Sequence, residues 1–534
     1  MKDAYDVVVI GSGFGGAITA ARLAEDGARV AVLERGKRWD KSEFPRTTGQ
    51  VAGGFWERGK AYGLVEYRAF KRMDVIAGCG VGGGSLHYFN VHLRAPERIF
   101  DGPRWPERFS RALLDPYYDR VQEKMESKPL VPPAGRELPE RTRVFVDAAE
   151  RAGKDASLVD IAVYTGAERA NASGVRQDPC TYCGNCLLGC HVHAKNTLDI
   201  TYLAGAEASH DLEVFPLHSA VNIEPVDGGR YRVSFERHAA RDPAAAPAPG
   251  RVMADRVVVA AGTLGSTELL LRCRDVHKSL PKLGDMLGRY FSGNGDFLIP
   301  GACDVTGMVD PGLGPSITAK LICDTGDNIV TVEDLGLPDP FFWFLEGALP
   351  PRGSRLWGLL KLAGSYLWQS LGFGVGRNRV SNEIGNLVDG GRTTRLLPYL
   401  GMGTDAADGR LQLRDGDIDV VWSHKRSRAM FKQMEGILRE VSEASGGRYA
   451  TSPLWRWPLR KLLTAHPLGG CAMGETAESG VVDHTGQVWD YPGLFVIDGS
   501  IIPSALAVNP SLTIGALSER AAQWMINGQE LCSG

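Results

Sequence analysis

The sequence predicts an α/β protein built around a parallel β-sheet, and three segments carry this prediction. Residues 5–10, 256–261 and 494–498 are short, Val-rich or otherwise apolar runs, and each is followed by a glycine-containing turn. Apolar runs of this length are typical of strands that are buried on both faces of a parallel sheet. With 534 residues the chain is long enough for two or more domains.

The first strand opens a dinucleotide-binding unit. The turn Gly11-Ser-Gly13-Phe-Gly-Gly16 follows it directly, and a helix over residues 17–26 and a second strand over residues 28–33 come next. Gly11 permits a tight turn, Gly13 lets the backbone approach a pyrophosphate, and Gly16 lets helix and strand pack closely. Glu34, at the end of the second strand, is placed to accept hydrogen bonds from both ribose hydroxyls. This unit alone leaves the choice between FAD and NAD open.

A second glycine cluster lies at residues 78–85, with the sequence Gly78-Cys-Gly80-Val-Gly82-Gly83-Gly84-Ser85. It is too rich in glycine for a regular element, so its backbone amides can approach a ligand closely. The alternative interpretation is a flexible loop.

Four cysteines follow one another as Cys180-Thr-Tyr-Cys183-Gly-Asn-Cys186-Leu-Leu-Gly-Cys190. The C-x2-C-x2-C-x3-C spacing is typical of an iron–sulfur cluster, of three or four irons, with these cysteines as ligands. A structural zinc ion or unligated thiols are the alternatives, although the second, separated cysteine pair that zinc usually uses is missing. The other six of the ten cysteines are scattered singly, which favours a reducing compartment.

The composition indicates which class of partner the protein binds. The charged fraction is 23% and the net charge is −3, which argues against a nucleic-acid-binding surface and favours a small-molecule partner. Residues 1–4 lead straight into the first strand pattern without room for a cleavable leader, so a cytoplasmic location is expected.

Together, several motifs resemble the glucose–methanol–choline (GMC) family of FAD oxidoreductases, and most of all its cholesterol-oxidase-like branch. They are the N-terminal turn, residues 80–85, Ala260-Ala-Gly-Thr, His466-Pro-Leu-Gly-Gly470, Asp498-Gly-Ser and Asn509-Pro. The resemblance implies a doubly wound FAD-binding domain that collects residues 1–60, 195–290 and 465–534. It also implies a substrate domain with a mostly antiparallel sheet that collects residues 61–194 and 291–464 and includes the cysteine loop.

The resemblance also implies which residues contact FAD. These are Gly11, Gly13, Phe14, Gly15, Gly16, Glu34, Gly80, Gly83, Gly84, Ser85, His87, Asn90, Val221, Ala261, Gly262, Asp498, Gly499, Asn509 and Pro510. The run Gly82-Gly-Gly-Ser-Leu-His87 is similar to one by which some family members attach FAD covalently through histidine. The alternative is a histidine that packs beside the flavin.

Three residues are candidates for the chemistry of alcohol oxidation. The resemblance implies that His466 is the base for the hydroxyl proton, that Asn509 orients the oxygen, and that Glu333 is an acid near the substrate. Each has a structural alternative: His466 as a hydrogen-bonded structural side chain, Asn509 as a helix cap before Pro510, and Glu333 as an exposed strand acid.

The cysteine cluster would carry electrons from the flavin to an acceptor, which is a carrier protein, a quinone or O2. This favours a dehydrogenase. The alternatives are an O2-using cholesterol-type oxidase/isomerase with a structural metal cluster, and an electron-transfer flavoprotein subunit.

Two segments indicate the substrate. Residues 340–345 and 356–371 are rich in Trp, Phe and Leu, and the second has apolar residues at helical spacing. They form either core or an apolar lid or peripheral membrane contact that admits a lipophilic alcohol. Lys361, Ser365 and Gln369 argue against a membrane span. We therefore expect a lipophilic, cyclic secondary alcohol of sterol or terpenoid type.

Overall fold

A computed structural model describes residues 1–52, 55–56, 63–239, 245–338, 341, 394–452, 455 and 460–528. The aromatic-rich segments 340–345 and 356–371 lie outside the described residues, apart from Phe341. Their predicted role in substrate access therefore stays a prediction.

The larger sheet has seven strands, of which five run parallel. In spatial order the parallel strands are Leu212–Pro216, Val30–Glu34, Ala4–Ile10, Ala248–Val259 and Leu494–Val496. The chain winds outward from the central strand in both directions, which confirms the predicted doubly wound arrangement. Val8, Val32 and Val257 on its three inner strands are fully buried, as the apolar runs predicted. Two antiparallel strands, His218–Val226 and Arg230–Arg237, continue the sheet from the first half of Ala248–Val259.

Helices pack around this sheet. Phe14–Glu25 contacts the C-terminal helix Ser511–Asn527, which in turn contacts Arg111–Lys124. The first helix begins at Phe14, three residues before the predicted start, and its glycines fit a narrow space: a Cβ at Gly16 would lie 1.9 Å from the Gly11 carbonyl oxygen. The other α-helices of the described residues are Thr48–Ala52, Glu140–Arg151, Ala204–Ser209, Gly262–Leu271 and Arg428–Ala444.

The second sheet is antiparallel throughout its six strands, which confirms the other half of the predicted fold class. In spatial order they are Arg448–Ala450, Phe297–Cys303, Leu396–Gly403, Ile329–Asp334, Ala319–Asp324 and Ala156–Leu158. Helix Arg428–Ala444 is amphipathic and buries Phe431, Met434 and Leu438. It packs on this sheet together with Glu140–Arg151.

A smaller four-stranded sheet brings the glycine loop at residues 78–85 near His466. Its strands are Leu462–Thr464, Met73–Gly78, Val65–Ala69 and Phe55–Trp56. Leu462–Thr464 ends two residues before His466 and pairs in parallel with Met73–Gly78. Three two-stranded sheets complete the strands of the described residues: Lys128–Pro129 with Asp160–Ile161, Arg169–Ala170 with Arg176–Gln177, and Arg410–Arg414 with Asp417–Val421.

All seven strands of the larger sheet come from residues 1–60, 195–290 and 465–534, and all six antiparallel strands come from residues 61–194 and 291–464. The exact domain boundaries stay a prediction. Within the described part of the chain, no helix has the length and apolar character needed to cross a membrane.

Candidate active site

The two glycine loops meet through their glycines. Gly11 has φ +102°, and a Cβ there would lie 2.2 Å from the carbonyl oxygen of Ala260. Gly83 has φ +53°, and a Cβ there would lie 2.5 Å from Cα of Gly13. Larger residues would push the loops apart, so the close approach depends on glycine at these positions.

Glu34 joins the loops as a buried acceptor. Its Oε2 accepts hydrogen bonds from the Ser12 amide and hydroxyl at 3.1 and 2.6 Å, and its Oε1 accepts one from the Gly36 amide at 2.9 Å. The Ser12 hydroxyl oxygen also accepts a bond from the Gly82 amide at 3.1 Å. Glu34 thus accepts three hydrogen bonds from the protein itself. Its predicted contact with ribose stays a prediction.

Asp498 joins the segment at residues 260–266 to the C-terminal segment at residues 498–500. Its Oδ2 accepts hydrogen bonds from the amide of Gly262 at 2.9 Å and the hydroxyl of Ser266, and its Oδ1 accepts one from the Ser500 amide at 2.8 Å. Burial raises the pKa of this carboxyl above its usual value. Gly15 packs on the same segment, where a Cβ would lie 1.7 Å from the carbonyl oxygen of Ile497.

Asn90 and His87 are buried polar residues that follow the second glycine loop. Asn90 is fully buried at φ +69°, and in the described part of the chain neither its Oδ1 nor its Nδ2 has a hydrogen-bond partner. Burial, followed by the nearby charges of Lys195 and His466, lowers the pKa of His87 to about 3, so the imidazole is neutral. Unpaired buried amides are rare unless a ligand completes them. These residues therefore fit a bound flavin.

The other predicted cofactor residues are spread around these loops. Ser85 donates to the Gly82 carbonyl at 2.7 Å, Phe14 packs edge-on against Tyr88, and Gly80 has φ +130°. Val221 lies at a register shift between its strand and Arg230–Arg237. A Cβ at Gly84 would meet open space, whereas one at Gly499 would lie 3.2 Å from the Pro467 carbonyl oxygen. Ala261 and Pro510 are the residues that precede helices Gly262–Leu271 and Ser511–Asn527.

His466 is held by a carboxylate that the sequence did not reveal. Its Nδ1 lies 2.8 Å from Oδ1 of Asp296, which is 1% exposed. Oδ2 of Asp296 accepts from the Thr464 hydroxyl and the Ala465 amide, both at 2.9 Å. The carboxylate thus holds a proton on Nδ1, and the Nε2 lone pair is left to act as a base. Asp296 belongs to no motif, so only the folded chain shows the pairing.

Asn509 and Glu333 form a second pair in the interior. Nδ2 of Asn509 donates to Oε2 of Glu333 at 3.3 Å, whereas Oδ1 of Asn509 and Oε1 of Glu333 have no described partner. The alternative of Asn509 as a helix cap is wrong, because helix Ser511–Asn527 starts after Pro510 and has no side-chain cap. The alternative of Glu333 as an exposed acid is also wrong, because Glu333 is fully buried.

Burial raises the pKa of Glu333 to about 8. The hydrogen bond from Asn509 lowers it, and the negative charges of Asp334 and Asp296 raise it further. The carboxyl is therefore protonated at neutral pH and has a proton to donate to an oxygen atom.

Asn294 positions the turn that carries Asn509. Its Oδ1 accepts from the amides of Leu506 and Ala507 at 2.8 and 3.0 Å, and its Nδ2 donates to the Val508 carbonyl at 2.9 Å. Asn294 and Asp296 stand two residues apart, so one short segment fixes both predicted catalytic side chains. No sequence pattern indicated this role either.

The structure does not show the predicted metal centre at the cysteine loop. Cys180, Cys183, Cys186 and Cys190 line one cavity together with Lys195. In the part of the chain that the structure describes, however, no three His, Cys, Asp or Glu side chains are grouped so that they could hold one metal ion. Two of the sulfurs instead accept backbone amides: Cys180 Sγ from Tyr182 at 3.5 Å and Cys190 Sγ from Lys195 at 3.4 Å. The iron–sulfur prediction is thus not supported by this arrangement.

Comparisons with known proteins agree with the fold. A family model described as GMC oxidoreductase matches residues 6–285, and a second model of the same description matches residues 410–518. A cholesterol oxidase of Mycobacterium tuberculosis (strain ATCC 25618 / H37Rv) is 30% identical over 99% of this chain and 92% of its own length. A long-chain-alcohol oxidase of Arabidopsis thaliana is 25% identical over 95% of this chain and 65% of its own length.

Among solved structures, pyridoxine 4-oxidase from Mesorbium loti superposes with a TM-score of 0.59 at 17% identity and covers 97% of this chain and 98% of its own. At this identity the likeness shows the fold alone.

Proposed function

The chain belongs to the GMC oxidoreductase family, and on this premise we propose that it oxidises a lipophilic, cyclic secondary alcohol of sterol or terpenoid type to the ketone. Family membership makes it an FAD-dependent enzyme that acts on CH–OH groups. The substrate proposal is supported by two relatives named for cholesterol and long-chain alcohols, and by the aromatic-rich composition of residues 340–345 and 356–371.

The contact between His466 Nδ1 and Asp296 Oδ1 carries the proposed mechanism. When bound, FAD supplies the acceptor for the hydride that leaves the carbinol carbon. His466 takes the hydroxyl proton on Nε2, and Asp296 stabilises the imidazolium that results. The alcohol thus loses one proton to the protein and one hydride to the cofactor, which balances its conversion to a ketone.

Asn509 and Glu333 would orient the substrate oxygen. The neutral Glu333 carboxyl and the Asn509 amide are joined by a hydrogen bond, and each keeps one buried oxygen without a described partner. Preorganised groups of this kind hold a reacting oxygen without rearranging during the reaction.

Anaerobic mixing tests the proposal. Holoenzyme is mixed with a sterol, a cyclic terpenoid alcohol, a long-chain primary alcohol and gluconate in parallel, and bleaching of the flavin absorbance is followed. We expect the two cyclic alcohols to bleach the flavin fastest, and we expect His466→Ala to abolish this while His277→Ala, a change of an exposed histidine, leaves it intact. Faster bleaching by gluconate would refute the lipophilic substrate.

Two finer features are also proposed. Covalent attachment of FAD through His87 is supported by its neutral, buried imidazole, and a yellow pellet after acid precipitation tests it. An iron–sulfur exit for electrons is supported by the cysteine spacing and by the shared cavity. Iron and acid-labile sulfide in stoichiometric amounts would support it, and reoxidation by O2, a quinone and a carrier protein would identify the acceptor.

A further inference from the structure

Lys195 is a buried cation that joins the cysteine loop to the glycine loop. Its side chain is almost entirely enclosed, at 2% exposure for the residue. Nζ donates to the carbonyl oxygens of Leu86 at 2.7 Å and Tyr88 at 3.2 Å on one side, and to that of Cys186 at 2.7 Å on the other. The three N–H groups of the ammonium are therefore all used, by two separate loops.

The ammonium group of Lys195 has no carboxylate partner among the described residues. No Asp or Glu of the described ranges forms an ion pair with Nζ, whose three hydrogen bonds all run to carbonyl oxygens. The backbone amide of Lys195 also donates to Cys190 Sγ at 3.4 Å. The electrostatic energy of a buried charge without a close counterion changes strongly when a neighbouring group changes its charge or moves.

On its other side Lys195 reaches the proposed flavin site. The carbonyls that it holds belong to Leu86 and Tyr88, the two neighbours of His87. His87 itself lies within electrostatic range of both Lys195 and His466. Two more bonds join the same segments: the Tyr88 hydroxyl donates to the Asn196 carbonyl at 2.9 Å, and the Leu198 amide donates to the Ser85 hydroxyl at 3.0 Å.

We propose that Lys195 couples the chemical state of the four-cysteine loop to the flavin, so that modification or ligation of its thiols changes the flavin's spectrum and midpoint potential. The inference rests on the proposed placement of FAD beside residues 82–88, and it does not depend on which species the cysteines take up. A displaced Cys186 carbonyl either moves the ammonium or breaks one of its three bonds, and both outcomes reach the backbone on either side of His87. Lys195 is in this sense a positioning residue.

The test labels Cys183, the exposed cysteine of the loop, with methyl methanethiosulfonate in the holoenzyme. Mass spectrometry confirms the labelled site, and Cys183→Ser subtracts any labelling elsewhere. We expect the flavin absorption maximum and midpoint potential to shift on labelling, and Lys195→Met to keep its flavin but lose the shift. Lys154→Met, which removes a surface lysine paired with Glu440, should retain it.

An equal shift in Lys195→Met would overturn the proposal, as would a labelled wild-type enzyme whose flavin does not change. If Lys195→Met is isolated without flavin, hydrogen exchange of the wild-type peptide 82–89 decides: faster exchange after labelling supports the coupling, and unchanged exchange contradicts it. Failure of the enzyme to oxidise any alcohol would count against the proposed function and leave this readout intact.

Discussion

The catalytic centre and the cysteine loop differ in how their reactive groups are held. In the centre, side chains hold side chains: Asp296 binds His466, and Asn509 binds Glu333. In the cysteine loop the nearest bonds run to backbone groups, through Lys195 and through Arg46, which donates to the carbonyls of Leu188 and Gly189. The centre is thus preorganised for proton transfer, whereas the loop has a backbone held by two cations and four cysteines that line one cavity.

The largest effect should follow from removing the partner of His466. Asp296→Ala leaves the imidazole free to take either tautomer, and the rate of alcohol-driven flavin reduction should fall by about 10². Asp285→Ala, a change of an exposed acid, is the matched control. Anaerobic stopped-flow absorbance measures both, and a reduction below threefold in Asp296→Ala would remove the dyad from the account.

Asn294→Ala should come next, through stability as well as geometry. It leaves the Leu506 and Ala507 amides and the Val508 carbonyl without their partner, at a cost of about 2 kcal/mol in the free energy of unfolding. Because the turn before Asn509 is then loose, KM for the alcohol should rise. Denaturant unfolding and steady-state kinetics check this, with exposed Asn527→Ala as control, and unchanged values for both quantities would contradict it.

A smaller effect concerns pH. Native Glu333 keeps its proton up to a pKa of about 8, whereas the unfolded chain loses it near 4.5. The folded state therefore binds more protons between these values, and the contribution to the free energy of unfolding falls as the pH rises from about 4.5 to about 8. Glu333→Gln removes this dependence. Between pH 5 and 8 the urea midpoint of the wild type should fall relative to that of Glu333→Gln, and parallel curves would argue against a raised pKa.

The smallest effect is expected at the cysteine loop. Cys183 is exposed and contacts none of the catalytic side chains, so Cys183→Ser should change the rate of alcohol-driven flavin reduction by less than about threefold. A fall as large as that of Asp296→Ala would place the two regions in one catalytic unit and end the contrast between them.

Sequence reasoning recovered the parts of the molecule that local chemistry determines. Gly11, Gly16 and Gly83 could be predicted because a close backbone approach demands glycine wherever it occurs in the chain. The doubly wound sheet followed from apolar runs. Asp296 and Asn294 could not be predicted, because their partners lie about 170 and 210 residues away and no spacing links them.

At the cysteine loop, by contrast, local sequence was not enough to predict the arrangement of the side chains. Its spacing is a strong local signal, yet spacing fixes only how far apart the sulfurs stand along the chain. Whether they converge depends on the turn Cys186–Leu188 and on which groups the sulfurs contact. The cysteine spacing and the positions of the sulfur atoms therefore have to be tested separately.

The most direct test of His466 as the catalytic base is chemical rescue. His466→Ala holoenzyme is mixed anaerobically with a cyclic secondary alcohol, with and without added imidazole, and flavin bleaching is recorded. We expect bleaching to be lost in the variant and partly restored by imidazole above the pKa of imidazole. Bleaching at the wild-type rate without imidazole would show that His466 is not the base.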